Sequence, residues 1–320
     1  MRGPPIKSKL MQLKTMIKFI LCVILAISAQ QSSCFAAIQP YPQTSKEWAT
    51  YLSGPQTEHC PIIFVHGIAA GFEKWDPTAK LISDNHVYSM RYLSPDQVFH
   101  NYMGIRPEVW VWNVSYYTPD VLTESTAGNL TLYAQRLDQM IQTIARITGQ
   151  KKVILVAHSM GGLVARKAIT LRPENAQNIV AILTVGTPHA GVDSAIPIVG
   201  QFRDLATNSD FIRQLDRDWD ALNKIHPIRW GVIGGIVTSN ILPNITKSTT
   251  DLGGPGFVAI QSSIPFGEWR DATEQLGTPV TNTPHFAFRA VVVGQHNQLL
   301  THQMTLSGIA WATGISKGEK

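Results

Sequence analysis

A single serine between an apolar run and a helical pattern constrains the fold of this chain more than any other feature. Residues 153–156 are continuously apolar and rich in β-branched side chains, as in a strand buried on both faces. The segment Ala157-His-Ser-Met-Gly-Gly162 follows, and a helical pattern begins near Leu163. A serine at such a sharp strand-to-helix turn is held in a strained conformation, with its hydroxyl pointing away from the sheet. The sequence therefore predicts Ser159 as a nucleophile.

Ala157 stands where the general G-x-S-x-G pattern of such turns has its first glycine. Alanine adds only one methyl group, so we interpret it as a tolerated variant. The alternative is a surface serine in a glycine-rich loop. The strand and helix patterns on either side of Ser159 favour the nucleophile.

The N-terminus has the order of a secretory signal. Basic residues come first, an apolar run covers residues 19–29, and a segment of small residues ends at Ala36-Ala37. The apolar run of 11 residues is short for a membrane span, so a cleaved signal is favoured over an anchor. We expect cleavage after Ala36, export of the protein, and one domain over residues 37–320.

The positive charge of the whole chain belongs to this leader. Residues 1–36 hold five of the 27 basic side chains and no acidic one, which leaves 22 basic against 22 acidic side chains in the remainder. The sequence has no basic stripe of the kind that indicates a nucleic-acid partner. Two of the three cysteines also lie in the leader, so Cys60 has no partner for a disulfide within the mature chain. Stability must come from a core, which a 284-residue chain can build.

Strand and helix patterns alternate along the rest of the chain. Apolar β-branched runs predict strands at residues 61–65, 87–92, 109–116, 153–156, 179–185, 228–233 and 287–293. Helical periodicity predicts a helix at residues 126–148. A second helix follows the serine and runs to about residue 171, where Pro173 closes it, and a third begins at about residue 299. Residues 37–58 read as a polar lead-in. The alternation predicts an α/β fold with a mostly parallel sheet that is flanked by helices on both faces.

Residues 192–224 interrupt this alternation with a mixture of apolar and charged side chains. An amphipathic insertion after a strand end is typical of a lid over an apolar pocket. An ordinary pair of crossover helices would give the same composition. We predict a helical lid here and keep the crossover helices as the alternative.

A second loop is predicted to help the serine. The strand at residues 61–65 ends in His66-Gly-Ile68, and a glycine-bearing loop at this place supplies a main-chain N–H to a developing oxyanion. We expect the N–H groups of Ile68 and Met160 to form this oxyanion hole. The side chain of His66 is interpreted as a brace of the loop rather than as the general base.

The general base is expected after the last strand, because the order in this architecture is serine, acid, histidine. His296 follows the strand predicted at residues 287–293 and precedes the last helix, so it fits best. The other candidates do not occupy that loop, and we expect them to have surface or structural roles: His158, His189, His285 and His302.

The acid is less determined by the sequence, because 11 Asp or Glu residues lie between Ser159 and His296. Asp251 follows the strand at residues 228–233 and precedes a glycine-rich turn, which favours it. Asp193, just after the preceding strand, is the main rival. Glu268 and Asp271 are further alternatives.

These segments together resemble the α/β-hydrolase lipases. The resemblance rests on residues 64–67, 157–162, 184–191 and 294–300, covers most of residues 60–305, and is nearest to triacylglycerol lipases and to deacylases of glycosylphosphatidylinositol lipids. It implies an α/β-hydrolase fold and a triad of Ser159, His296 and an acid. One departure concerns the acid, since many relatives carry it immediately before a Gly-hydrophobic-Val turn where this chain has Pro255.

The function predicted is hydrolysis of carboxylic esters, with lipid esters as substrates and transient contact with a lipid surface. No cofactor or metal is expected, because no His/Cys cluster has metal-ligand spacing and no Walker-type loop is present. Two alternatives remain open: an acyltransferase that uses the same triad, and a non-catalytic binding or folding factor. The intact serine–histidine pair argues against the second.

Overall fold

The apolar runs of the sequence become the strands of one sheet. The computed structural model describes residues 41–95, 97–120, 123–124, 128–193, 200–238, 247–248 and 258–314. The strands in these ranges are β1 (Ile62–Val65), β2 (Tyr88–Ser94), β3 (Gln97–His100), β4 (Val111–Ser115), β5 (Val153–His158), β6 (Ile179–Val185), β7 (Trp230–Thr238), β8 (Lys247–Ser248), β9 (Val280–Thr281) and β10 (Phe288–Val293). Their order is β3-β2-β4-β1-β5-β6-β7-β10-β9, with β8 paired to β7.

The sheet is mostly parallel. Strands β2, β4, β1, β5, β6, β7 and β10 pair in parallel, whereas β3, β8 and β9 are antiparallel to their neighbours. Every residue of β1, β4 and β5 is buried, as expected of strands covered on both faces. The predicted α/β-hydrolase fold is thus confirmed. The carboxyl ends of β1, β5, β6 and β10 meet at one edge, where open α/β sheets place their sites.

Helices cover the sheet. They are α1 (Ser45–Leu52), α2 (Asp76–Ile82), α3 (Leu130–Thr148), α4 (Met160–Thr170), α5 (Pro173–Gln177), α6 (Gly200–Leu205), α7 (Asp210–Ile225), α8 (Ile260–Ser263), α9 (Trp269–Glu274) and α10 (Gln303–Thr313). The long helix α3 begins where the Asn129 side chain accepts a hydrogen bond from the N–H of Leu132, and it ends at Gly149, whose φ is 70°.

Two sequence predictions about helices are corrected. Residues 45–52 are not part of a polar lead-in but form α1, because Thr44 and Glu47 make a capping box and Trp48 is buried. The helix after the serine ends at Thr170, close to the predicted residue 171, and Pro173 begins α5, a position where proline loses no helical hydrogen bond. The last helix, predicted from about residue 299, begins at Gln303 after a separate 3₁₀ turn, Gln298–Thr301.

The segment predicted as a lid contains α6 and α7. Helix α7 buries Ile212, Leu215, Trp219 and Leu222, and packs against α4. Arg166 of α4 donates to the carboxylate of Asp216 at 3.0 Å, and its guanidinium lies over the rings of Trp219 and Trp230. These contacts are those of a crossover helix between β6 and β7, which was the alternative interpretation. The lid is not confirmed, and residues 194–199 of the candidate lie outside the described residues.

The predicted signal segment, residues 1–36, also lies outside the described residues and stays a prediction. Among the helices that the structure does describe, none is long and apolar enough to span a bilayer.

Candidate active site

Ser159 is the single residue between β5 and α4, and its backbone is strained. Its φ is 55° and its ψ is −134°, a conformation that side-chain-bearing residues rarely adopt. The N–H of Ser159 donates to the carbonyl of Val185 at 2.9 Å, and its own carbonyl accepts from Gly162 at 3.0 Å. Such strain costs about 1–3 kcal/mol and persists only where the surroundings impose it. The strained strand-to-helix turn expected at Ser159 is present, and the role of Ser159 as a nucleophile stays a prediction.

The turn is tight enough to require a small residue beside it. A Cβ on Gly161 would stand 2.2 Å from the main-chain oxygen of His66, so helix α4 crosses directly over the end of β1. The methyl group of Ala157 is completely buried in the core on β5. The structure therefore accommodates alanine at the position where the general pattern has glycine.

The loop after β1 lies against the serine. A Cβ on Gly67 would stand 2.8 Å from the Cβ of Ser159, so the main chain of this loop borders Ser159. Ile68 follows directly and is half-buried. Met160 is the first residue of α4, where main-chain N–H groups have no acceptor within the helix. The two predicted oxyanion donors thus belong to the two segments that meet at Ser159.

His66 braces this loop, as the sequence predicts. Its Nδ1 lies 2.7 Å from the carbonyl of Gly67 and donates to it, and its ring stacks on Tyr116 at 4.1 Å. The Tyr116 hydroxyl donates back to the carbonyl of His66 at 2.9 Å. Burial lowers the pKa of His66 to about 4, so the ring is neutral at physiological pH.

His296 is brought to the same edge of the sheet, three residues after β10 ends. It is buried, and its Nδ1 lies 3.1 Å from the point where a Cβ on Gly186 would stand. Gly186 follows Val185, the residue that accepts the N–H of Ser159. Ser159 and His296 therefore border consecutive residues, Val185 and Gly186, at the end of β6.

Three other histidines have structural contacts. Buried His189 lies 2.9 Å from the hydroxyl of Thr184 through Nε2, and burial holds its pKa well below the ordinary value. The His302 side chain accepts from the N–H of Met304 and caps α10. His285 pairs with Glu268 at 2.9 Å. All three agree with the structural roles expected from the sequence.

Asp251, the predicted acid, lies outside the described residues, whereas its rivals are within them. Asp193 is exposed and accepts from the hydroxyl of Thr207 at 2.6 Å. Both carboxylate oxygens of Glu268 are engaged, one by Arg289 and the other by His285. Asp271 is exposed on α9.

Cys60, the remaining candidate nucleophile by chemistry, is unsuited to that role. Its side chain is buried, and burial, reinforced by Glu58, raises its pKa to about 12. The thiolate is the nucleophilic form of cysteine. The protonated thiol therefore does not compete with Ser159.

The sequence did not reveal the side chains that support the site from other parts of the chain. Trp75 donates through its indole N–H to the carbonyl of Val65 at 3.0 Å, just before the loop that carries Gly67. The Tyr117 hydroxyl donates at 2.8 Å to buried Gln201 on α6. The latter pair is separated by 84 residues, and no local pattern indicates it.

Comparison with known proteins identifies relatives of this chain. The family described as "PGAP1-like alpha/beta domain" matches residues 56–227, more than half of the sequence. The GPI inositol-deacylase of Candida albicans is 30% identical over 148 residues, which are 45% of this chain and 35% of that protein. Triacylglycerol lipase 2 of Saccharomyces cerevisiae is 29% identical over 167 residues, 45% of this chain and 50% of that protein. The match thus spans only about a third to a half of these relatives.

A solved structure shares the fold. The lin2722 gene product of Listeria innocua superposes with a TM-score of 0.56 at 14% sequence identity, and the match covers 82% of this chain and 97% of that one. At this level of identity the similarity concerns the fold alone.

Proposed function

Because this chain belongs to the family of PGAP1-like alpha/beta domains, we propose that it is a serine hydrolase that cleaves carboxylic esters of lipids. The observation that carries the proposal is the strained backbone of Ser159, held between the loop of Gly67 and Val185, whose neighbour Gly186 borders His296. A structural serine gains nothing from such strain, whereas a nucleophile at this turn is pre-organised for attack.

Each residue has a role in the proposed reaction. His296 takes the proton from the Ser159 hydroxyl as the Ser159 oxygen attacks the ester carbonyl. The N–H groups of Ile68 and Met160 stabilise the oxyanion that forms. His296 then protonates the leaving alcohol, which leaves an acyl-enzyme. Water, deprotonated by His296, releases the acid and restores Ser159. The carboxylate of Asp251 orients the imidazole and stabilises its charged form.

The names of the relatives support lipid esters as the substrate class. One is named for deacylation of GPI inositol and another for triacylglycerol. Such substrates reside in a lipid phase, so we include transient contact with a lipid surface and no nucleic-acid partner in the proposal. The leader-like order of residues 1–36 supports an exported location.

A fluorophosphonate probe followed by peptide mapping tests the proposal directly. We expect the label on Ser159, and we expect the acyl group of a lipid ester to appear as free fatty acid even when an alcohol acceptor is present. Transfer of most of the acyl group to the acceptor would identify an acyltransferase. Absence of both labelling and turnover would favour the non-catalytic factor.

The acid is tested by a matched pair of variants. Asp251→Asn should lower kcat by roughly 10²–10⁴, because the uncharged amide neither stabilises the imidazolium nor orients the imidazole correctly. Asp193→Asn, which changes an exposed carboxylate bound to Thr207, should lower it by less than about threefold. Steady-state kinetics on a soluble ester give both numbers. A large loss in the Asp193 variant alone would make Asp193 the orienting acid.

A lid within residues 192–224 remains part of the proposal. Since α7 packs as a crossover helix, we propose α6 as the described part of this lid. We expect the rate to rise when the substrate passes from monomers to micelles, because an apolar surface opens only against a lipid phase. Smooth saturation of the rate through the solubility limit would indicate a lidless esterase.

A further inference from the structure

His158 is a buried titratable side chain that the proposed mechanism does not use. It is the last residue of β5 and precedes Ser159 directly. Its side chain is almost completely shielded from solvent, since the residue is only 5% exposed. A core position of this size is ordinarily filled by an apolar residue, because burying a polar ring requires hydrogen-bond partners. The contacts of the ring therefore show what it contributes.

The His158 ring lies between the two loops that meet at the nucleophile. Its Nε2 is 3.1 Å from the main-chain oxygen of His296, and the two imidazole rings are 4.5 Å apart. Its Nδ1 is 3.4 Å from the point where a Cβ on Gly67 would stand. The rings of Trp75 and His158 pack edge to face, with their centroids 6.3 Å apart. The side chain of His158 thus contacts the segment of His296 and faces the loop that carries Gly67 and Ile68.

The chemistry of the partner fixes the tautomer. A carbonyl oxygen only accepts hydrogen bonds, so Nε2 of His158 carries the hydrogen and donates it to His296. Burial, with a further contribution from His296, holds the pKa of His158 well below its ordinary value. The neutral ring therefore keeps the same tautomer over the working range of pH, and it does not compete with His296 as a base.

We propose that His158 is a positioning residue, which fixes the main chain of His296 relative to Ser159 through its Nε2–H hydrogen bond and its ring contacts. The inference rests on the proposed function, in which His296 must reach the Ser159 hydroxyl. A displacement of about 1 Å at a catalytic group can cost on the order of 10²-fold in rate. His158 is well placed to prevent it, because it is the last residue of β5 and directly precedes Ser159.

The test uses two substitutions of nearly equal length. His158→Met removes the donor, whereas His158→Gln places an amide N–H where Nε2 stands. We expect kcat to fall by about 10- to 100-fold in the Met variant with KM unchanged within twofold, and to return to within about fivefold of wild type in the Gln variant. Thermal unfolding of both variants separates this effect from instability. Equal kcat in the Met and Gln variants, or a change confined to KM or to the unfolding temperature, would overturn the proposal.

A second measurement needs no substitution. Long-range ¹⁵N–¹H correlation spectra of the wild-type protein report the tautomer of each imidazole, and we expect His158 to carry its hydrogen on Nε2 from pH 5 to pH 9. A hydrogen on Nδ1 would exclude the bond to His296 and with it the proposal, whether or not the variants fold. Failure of the proposed function is distinguishable, because wild-type Ser159 would then take no fluorophosphonate label.

Discussion

Replacing Ser159 with alanine should reduce the hydrolysis of short and long p-nitrophenyl esters by on the order of 10⁴-fold or more. The physical reason is that the described residues offer no substitute at this turn. Cys60 is buried and protonated, and Ser159 is the one hydroxyl-bearing residue between β5 and α4. Measurement of kcat/KM with protein shown to be folded by circular dichroism gives the loss.

A control variant separates the loss of the nucleophile from a general effect of removing a hydroxyl. Ser307 is similarly buried but lies on α10, next to Gly308, where a Cβ would face Leu183 of β6 and Ile233 of β7. Ser307→Ala should keep activity within about threefold of wild type, as expected of a small change in packing. Activity of the Ser159 variant within tenfold of wild type would show that another residue is the nucleophile.

The strands and the serine turn could be predicted from sequence because their signals are local. A continuously apolar run such as β5 is buried on both faces, and this requirement acts on every residue of the run. The place of His296 followed from the order of elements in the architecture rather than from its own neighbours. For the same reason the triad acid stayed ambiguous, since several carboxylates follow strands in the right part of the chain.

Other features could not be predicted because they depend on contacts between distant segments. The role of α7 was ambiguous, since its composition fits both a lid and a crossover helix. The choice is made by Arg166 on α4, which pairs with Asp216 and packs over the rings of Trp219 and Trp230. The contacts of His158 with the segment of His296 likewise join residues 138 apart in sequence.

Helix α1 is different, because its signal is local. The capping box at Thr44 and Glu47 could have been recognised in the sequence, but the polar composition of this segment favoured a lead-in without structure.

Replacing His296 with alanine should reduce activity about as much as the loss of Ser159, on the order of 10⁴-fold, because a serine hydroxyl without a base is a weak nucleophile. The other histidines near the site cannot take over. His66 is neutral and donates to Gly67, and His158 is buried with its Nε2 directed at the carbonyl of His296. Measured over pH 5–9, the residual rate of the variant should therefore stay low throughout.

The matched control is His302→Ala, six residues further along the chain. The His302 side chain caps α10 through the N–H of Met304, so its removal should cost about 1 kcal/mol of stability and leave activity within a few-fold of wild type. Denaturant unfolding and steady-state kinetics on the same two samples give both quantities. If His302→Ala abolished activity and His296→Ala did not, the base would lie at the start of α10 instead of in the loop after β10. The contact of His158 with His296 would then have only a structural role, since it would position a residue that takes no part in the reaction.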